Sequence, residues 1–228
     1  MTTILGIRAT KGEPGVILAS DLQRTRTDLN EGGEVIRKVQ TKADSQKIYV
    51  DDSQKIALCM TGTFDQAYVD FLNGIRSGRI DIEKAVREGF FIELHELTES
   101  RWGGKYPTNN LNSLVIATRF NQDPRLYDCY PLGKVTETNF STAGAGAEYA
   151  EKACESKRTD FPGYINLAEA SGLAIRGLEA AASKDIYTGG LDIVAVTRKG
   201  IKPLGNIVQE ELDKARNRYK ERIGRSLK

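Results

Sequence analysis

The stretch that most constrains the fold is Val16-Ile17-Leu18-Ala19, a continuous apolar run that ends in Ser20-Asp21. A short apolar run bounded by turn residues is typical of a β-strand that is covered on both faces. Such a strand needs a layer of structure on each side of its sheet. The sequence therefore predicts a multilayer domain, with the acidic residue Asp21 at the point where a core strand ends.

The remaining segments predict an ordered succession of strands and helices around this run. Strands are predicted at residues 2–9, 15–21, 47–50, 56–60, 114–118, 126–130, 133–139 and 191–196. Helices are predicted at residues 64–75, 81–98, 147–156 and 165–183, and from 207 onward. The polar residues 21–46 are predicted to form a long excursion with little regular structure. The order predicts an α+β fold: a four-layer α-β-β-α sandwich of two antiparallel sheets flanked by helices.

Composition limits the possible function classes. The 228 residues contain no linker, so we expect one domain at 1–205, with 206–228 as a C-terminal helix of the same domain. A net charge of +2 is too balanced for a dedicated nucleic-acid binder. No apolar run approaches the roughly 18 residues of a membrane span, and no signal peptide is recognisable, so a cytoplasmic location without a membrane partner is expected.

No sequence pattern predicts a cofactor or a metal. The three cysteines, Cys59, Cys129 and Cys154, are far apart and are interpreted as core residues. The turn Gly144-Ala145-Gly146 is similar to the start of a dinucleotide fingerprint, but Tyr149 stands where a third small residue is needed. This turn is better interpreted as a tight strand-to-helix connection near a site.

A threonine exposed as the first residue would bring a hydroxyl nucleophile and a free amine together. Thr2 could become such a residue if Met1 is removed. Taken alone, however, Thr2 is more simply the start of a strand. Asp21, Lys47 and the 185–190 segment are likewise ordinary strand-end and turn residues when each is considered separately.

The combination of segments is more specific than any one of them. In chain order they are Thr2-Thr3-Ile4-x-Gly6-Ile7, Ala19-Ser20-Asp21 with Thr25, Lys47-Ile48, Met60-Thr61-Gly62, Ser141-Thr142 to Gly146, and Asp185-x-x-Thr188-Gly189-Gly190. This order resembles the β-type subunits of proteasomes, particularly the archaeal ones, within the N-terminal nucleophile (Ntn) hydrolase superfamily. The resemblance runs from Thr2 to Arg198.

The resemblance implies a threonine-type peptidase with the Ntn hydrolase fold. Its implied catalytic residues are Thr2 as nucleophile, Asp21 and Lys47 as acidic and lysine partners, the N–H of Gly62 as oxyanion donor, and Asp185 and Thr188 as residues that orient the threonine amine. A protonated Lys47 would disfavour a second positive charge on that amine. Its implied substrate-binding residues are Thr25 and Gly62, through backbone groups, and Tyr49 and Met60, which fall where the family shapes a side-chain pocket.

The sequence departs from the family pattern at four points. Ala145 stands where a serine usually helps to relay the amine proton, and Gln23, beside Arg24, replaces a common arginine. The loop between Asp21 and Lys47 is longer than usual, which leaves Lys42 as a fallback. A methionine precedes Thr2 where many β subunits have a propeptide, so ordinary methionine removal could suffice.

The implied partners are a peptide or unfolded protein substrate and further copies of the chain in a ring-forming homo-oligomer. The sequence leaves open whether α-type subunits and an ATPase also take part. Two alternative functions remain: a catalytically inactive, β-like structural subunit of a ring, and an Ntn amidohydrolase or transpeptidase with a different amide substrate.

Overall fold

The computed structural model describes residues 2–22, 24–29, 35–41, 47–53, 55–61, 72–88, 113–129, 135–158, 165–184 and 190–204 of the chain. Its strands in chain order are β1 Thr3–Ala9, β2 Gly15–Ser20, β3 Arg24–Leu29, β4 Val35–Thr41, β5 Ile48–Asp51, β6 Ile56–Met60, β7 Leu114–Thr118, β8 Arg125–Cys129, β9 Val135–Thr138, β10 Phe140–Gly144, β11 Asp192–Thr197 and β12 Gly200–Pro203. Its helices are α1 Ile82–Glu88, α2 Ala147–Arg158 and α3 Leu167–Lys184, with a 3-10 turn at Phe120–Gln122.

Within the described ranges, the strands form two five-stranded sheets and a separate two-stranded one. The first sheet has the order β10-β1-β2-β11-β12 and the second the order β5-β6-β7-β8-β9, while β3 pairs with β4. Every pair of neighbours is antiparallel. Antiparallel pairing between consecutive strands explains why short turns suffice to connect most of them.

The two large sheets pack face to face because β1 and β2 are apolar on both sides. Ile4 and Leu18 point toward the second sheet, where they meet Val115 and Leu126. Gly6 lies in the same interface, and a Cβ there would come within 2.5 Å of the Leu126 side chain. A glycine at this position therefore allows the sheets to approach closely.

Helices cover both outer faces. On the first sheet, Leu5 and Ile17 pack against α2 and α3 through residues such as Leu173. On the second sheet, the outer face packs against the helical residues 72–76 and against α1 through Ala85 and Val86. These layers confirm the predicted α+β sandwich of two antiparallel sheets flanked by helices.

Helix α3 has a capping box at its start, which explains why the helix begins where it does. The Asn166 N–H donates to Glu169 Oε2 and the Glu169 N–H donates to Asn166 Oδ1, both at 2.9 Å. These reciprocal bonds satisfy two backbone donors that the first helical turn leaves without partners.

The prediction of an irregular excursion at 21–46 was wrong. Strands β3 and β4 form an antiparallel hairpin there, with Arg24 opposite Thr41 and an irregularity between Asp28 and Leu29. Charged residues alternate with threonine in the first part of β3, and β4 contains Val35, Ile36, Val39 and Thr41, which favour extended structure. The charged residues of both strands made the segment look like a solvent-exposed loop. Strands β10 and β12 were also not predicted, because their glycine, serine and proline content is typical of turns.

Some predicted elements extend beyond the described residues. Of the helices predicted at 64–75 and 81–98, the structure describes helical residues at 72–76 and 82–88. The predicted C-terminal helix at 206–228 lies outside the described ranges. Among the described residues, no helix has the length and apolarity needed to cross a membrane.

Candidate active site

The antiparallel register brings five strand ends to one edge of the sandwich. In the first sheet, Thr3 lies opposite Gly144, and Ser20 lies opposite both Ile4 and Asp192. In the second sheet, β5 begins at the same edge. Thr2, Asp21, Lys47 and the turn that follows β10 are therefore neighbours in space although they are distant in sequence.

Asp21 is the centre of this edge. Its residue is fully buried, and its Oδ2 accepts a hydrogen bond from Lys47 Nζ at 2.8 Å. Its Oδ1 accepts the Thr3 N–H at 2.7 Å, and the Asp21 N–H donates to the Thr3 carbonyl at 3.1 Å. A carboxylate removed from water needs such partners to stay charged. Asp21 therefore holds both the lysine ammonium and the backbone next to Thr2.

The turn after β10 holds Thr2 from the other side. The Ala145 N–H donates to the Thr2 carbonyl and the Gly146 N–H donates to Thr3 Oγ1, both at 3.1 Å. Gly144 has φ +98°, and a Cβ there would lie 1.6 Å from the Thr2 carbonyl oxygen. The turn thus places Thr2 through backbone groups, and it requires glycine at position 144.

Asp192 was missed by the sequence reasoning and also belongs to this edge. It opens β11, and its Oδ2 accepts the Ile48 N–H at 3.3 Å, across from the first sheet to the second. Burial raises the pKa of Asp192, while hydrogen bonds from the backbone of Ile48, Lys47 and Ile193 act in the opposite direction. The sequence feature that could have identified Asp192 is its position directly before the apolar run of residues 193–196, where burying a charge is costly.

Tyr49 and Met60, predicted to shape the substrate pocket, pack into one hydrophobic cluster on the outer face of the second sheet. The Tyr49 hydroxyl donates to Asp51 Oδ2 at 3.2 Å, and the Arg76 guanidinium lies 5.0 Å from the centre of the Tyr49 ring. Burial raises the pKa of Tyr49. The tyrosine hydroxyl therefore stays protonated at neutral pH, and the ring is held between the sheet and a cation.

Several predicted residues cannot be placed at this edge. Gly62, Asp185 and Thr188 lie outside the described residues, as do Met1 and the fallback Lys42. Thr25 lies in β3 opposite Gln40, and its backbone alone is described. The neighbour of Gly62, Thr61, is tied to the start of β7, because its N–H donates to the Ser113 carbonyl at 2.9 Å.

The cysteines are buried and chemically quiet, as predicted for core residues. Burial raises the pKa of Cys59, which lies close to Ser20, to about 12 and that of Cys154 to about 11. Burial also raises the pKa of Cys129. Thiols that stay protonated at neutral pH are poor nucleophiles. Within the ranges that the structure describes, no group of three or more His, Cys, Asp or Glu side chains is placed to hold a metal ion.

A cavity of about 320 Å³ lies at the opposite end of the second sheet and is separate from this edge. Its wall includes Asp123, Arg125 and Glu137. These residues form a ring of ion pairs with Arg8 of the first sheet, at distances between 2.9 and 3.7 Å. The ring links the two sheets, so the cavity is better explained as part of a structural junction than as the catalytic centre.

The fold and this edge together define a class: an α-β-β-α sandwich in which a lysine pairs with a fully buried aspartate beside the start of the first strand. Comparison with known proteins defines the family. The model of the family "Proteasome subunit" matches residues 82–197, just over half of the chain. This chain belongs to the proteasome subunit family, and membership of the Ntn hydrolase superfamily follows from it.

Archaeal β subunits are among the similar proteins. Proteasome subunit beta 1 of Thermococcus onnurineus is 30% identical over 217 residues, which cover 93% of this chain and 95% of the relative. Its counterpart in Thermococcus gammatolerans is 37% identical over 91 residues, 40% of this chain and 44% of that protein. Proteasome subunit beta of Haloferax volcanii is 25% identical over 202 residues, 88% and 75% of the two chains. The resemblance stated above is thereby confirmed, and a proteasome-type protease subunit is supported.

Proposed function

We propose that this chain is a threonine-type endopeptidase subunit, with Thr2 as nucleophile after removal of Met1. The observation that carries the proposal is the double contact of Asp21, which binds the Lys47 ammonium at 2.8 Å and the Thr3 N–H at 2.7 Å. A fully buried carboxylate is costly unless it is paired. Here its two contacts fix a lysine and the peptide unit that carries Thr2 in one arrangement.

The proposed reaction is acyl transfer through an ester. Thr2 Oγ1 attacks the peptide carbonyl while the free Thr2 amine accepts the hydroxyl proton, directly or through a water. The Gly62 N–H would stabilise the oxyanion of the tetrahedral intermediate. The proton then passes to the leaving amine, and water hydrolyses the ester. Lys47 would keep the Thr2 amine neutral by charge repulsion, so that it can act as the base.

The remaining predicted residues have supporting roles in this proposal. Asp185 and Thr188 would orient the Thr2 amine. Thr25 and Gly62 would bind the substrate backbone as an added strand. Tyr49 and Met60 would border the pocket for the residue before the cleaved bond, and their shared apolar cluster favours an apolar or mixed preference. The working protein would be a ring of several subunits.

Ala145 favours a second candidate, a structural ring subunit without activity. The Ala145 N–H contacts the Thr2 carbonyl, so this residue lies beside Thr2 and offers a methyl group where the family usually has a hydroxyl. Without that hydroxyl, proton relay needs a water. A third candidate keeps the chemistry but transfers the acyl group to an amine other than water, or uses a different amide substrate.

The test combines intact mass, labelling and peptide cleavage on the assembled protein. Intact mass reports whether Met1 has been removed, and native mass reports the ring. A peptide epoxyketone, which reacts with an N-terminal threonine through both its hydroxyl and its amine, should label the wild-type protein and fail to label Thr2→Ala. Cleavage of a fluorogenic peptide should be lost in the same variant.

The three candidates give different results in this test. A protein with an exposed Thr2 that forms rings, takes no label and cuts no peptide is a structural subunit. Labelling at Thr2 with an amine-transfer product in place of a hydrolysis product indicates a transpeptidase. Full peptidase activity in Thr2→Ala would contradict the proposed mechanism.

A further inference from the structure

Asp192 connects the two sheets at the edge that carries the candidate site. It is the first residue of β11 in the first sheet, and its Oδ2 accepts the N–H of Ile48, the first residue of β5 in the second sheet, at 3.3 Å. The Lys47 backbone also contributes a hydrogen bond to this carboxylate. Asp192 thus binds the backbone N–H groups of Lys47 and Ile48, which lie on either side of the Lys47 Cα.

We propose that Asp192 is a positioning residue for Lys47: it fixes the start of β5 so that the lysine ammonium meets Asp21 beside Thr2. The proposal rests on the proposed function, in which Lys47 acts on the Thr2 amine.

The sheet alone does not fix Lys47. The first ladder pair of β5 is Ile48 with Cys59, so Lys47 precedes the paired part of the strand. In the described part of the chain, β5 is also one of the two edge strands of its sheet, with β6 as its neighbour. An edge strand has backbone groups that its sheet leaves unpaired. Asp192 supplies an acceptor for one of them, directly next to Lys47.

The position of the Lys47 backbone matters because its side chain is long and flexible. Lysine has four rotatable carbon–carbon bonds, and ordering them is entropically costly. A shift of the Lys47 Cα would force these bonds into other rotamers or lengthen the 2.8 Å contact between Nζ and Asp21 Oδ2. Loss of the Asp192 contacts would let the start of β5 move, and the ammonium would move with it.

Stability does not explain the carboxylate of Asp192. Burial raises its pKa, which means that the charged form is less favourable in the folded chain than in the unfolded one. At neutral pH the fold therefore holds this charge at a cost. The Asp192 carboxylate binds the backbone at Lys47, so its presence is better explained by the need to position that lysine in the candidate site.

Asp52 provides a matched control at the other end of β5. It lies in the turn after β5, and its Oδ1 accepts the Ile201 N–H of the first sheet at 3.1 Å and the Arg119 guanidinium at 3.0 Å. Asp52 therefore also ties the second sheet to the first through a backbone N–H. It does so far from Lys47 along the strand, so the two aspartates separate positioning of the lysine from general attachment of the sheets.

The experiment compares Asp192→Ala, Asp192→Asn and Asp52→Ala in the assembled protein. With a fluorogenic peptide, Asp192→Ala should lower kcat by about 10- to 100-fold with KM little changed, because misplaced catalytic groups affect the chemical step more than binding. Asp192→Asn, which keeps one acceptor oxygen and the same size, should retain more activity than Asp192→Ala. Asp52→Ala should keep wild-type kcat.

A second readout follows Lys47 itself. Brief treatment of the folded protein with acetic anhydride, followed by mass spectrometry of peptides, gives the acetylation rate of Lys47. A lysine released from Asp21 reacts faster, so Asp192→Ala should raise this rate and Asp52→Ala should not. If Asp192→Ala does not fold, the isosteric Asp192→Asn carries both measurements.

Equal kcat values and equal Lys47 acetylation in the Asp192 and Asp52 variants would overturn the proposal. A wild-type protein without labelling at Thr2 would refute the proposed function instead. The acetylation rates then still decide the present inference: a rise specific to the Asp192 variants supports positioning of Lys47, and its absence rejects it.

Discussion

Gly144→Ala tests how closely the glycine-rich turn fits against Thr2. Gly144 has φ +98°, a region that disfavours side chains, and its new Cβ would lie 1.6 Å from the Thr2 carbonyl oxygen. That contact is impossible, so the Thr2 carbonyl or the turn must move. The movement would break the 3.1 Å hydrogen bond that the Ala145 N–H donates to Thr2. The substitution should therefore displace the candidate nucleophile.

The expected loss of stability has two parts. An alanine at positive φ costs about 1–2 kcal/mol. The lost hydrogen bond adds about 0.5–1.5 kcal/mol to the decrease in the free energy of unfolding. Gly12→Ala is the matched control, because Gly12 has φ +77° and nothing within 4 Å of its Cβ position. Gly12→Ala should show the first part alone.

Urea unfolding gives the stabilities, and the rate of epoxyketone labelling at Thr2 gives the effect on the site. We expect Gly144→Ala to be less stable than Gly12→Ala by about 1 kcal/mol, the value of one hydrogen bond, and to label far more slowly. Gly12→Ala should label like the wild type. Equal stability and equal labelling in the two variants would refute the reasoning that the turn positions Thr2.

Three further predictions concern charges. Lys47→Met removes the ammonium that pairs with the fully buried Asp21 carboxylate. In urea unfolding, the free energy of unfolding should fall by about 3–5 kcal/mol, and a decrease below about 1 kcal/mol would contradict the pairing. Asp192→Asn should become more stable relative to wild type as the pH rises above 3.8, the ordinary pKa of the carboxyl. The raised pKa of Asp192 contributes to the stability of the wild-type fold fully below that pH, and this contribution is lost as the pH rises through the folded-state pKa. A Tm difference between the two proteins that does not change with pH would contradict this. Glu137→Gln removes the carboxylate that Arg8 and Arg125 share. In parallel urea titrations, the free energy of unfolding should fall by at most about 1 kcal/mol at low salt and by less at high salt. A decrease that does not depend on salt would argue against an ionic link.

The sandwich was predictable because its core strands are continuous apolar runs, which can be recognised in the local sequence. The run Val16–Ala19 contacts apolar layers on both sides, as a strand covered on both faces should. The hairpin of β3 and β4 was not predictable in the same way, because β3 alternates charged residues with threonine and β4 has two adjacent charged residues, Arg37 and Lys38, in its middle. Neither strand shows the alternation of apolar with polar residues that predicts a half-buried strand.

The candidate site was predictable in part: residues that belong to a sequence pattern were identified, and residues whose role depends on contacts between distant segments were not. Asp21 and Lys47 were identified through their order in a family pattern, and the structure places them 2.8 Å apart. Asp192 escaped because its role depends on contact between two sheets, which local sequence does not encode. The same holds for Thr3, whose hydroxyl accepts the Gly146 N–H. Both side chains bind backbone N–H groups, those of Ile48 and Gly146, which any residue except proline could supply.

This use of backbone groups changes the meaning of Ala145. The turn holds Thr2 and Thr3 through the N–H groups of Ala145 and Gly146, and these donors do not depend on the side chain at position 145. In the proposed mechanism, alanine in place of the family's usual serine therefore removes a hydroxyl for proton relay and leaves the backbone contacts of Thr2 intact. Ala145 is exposed, so water has access to the place of that hydroxyl. In the proposed mechanism the departure would affect the rate of proton transfer, while Gly144 and Asp21 fix the position of the proposed nucleophile, Thr2.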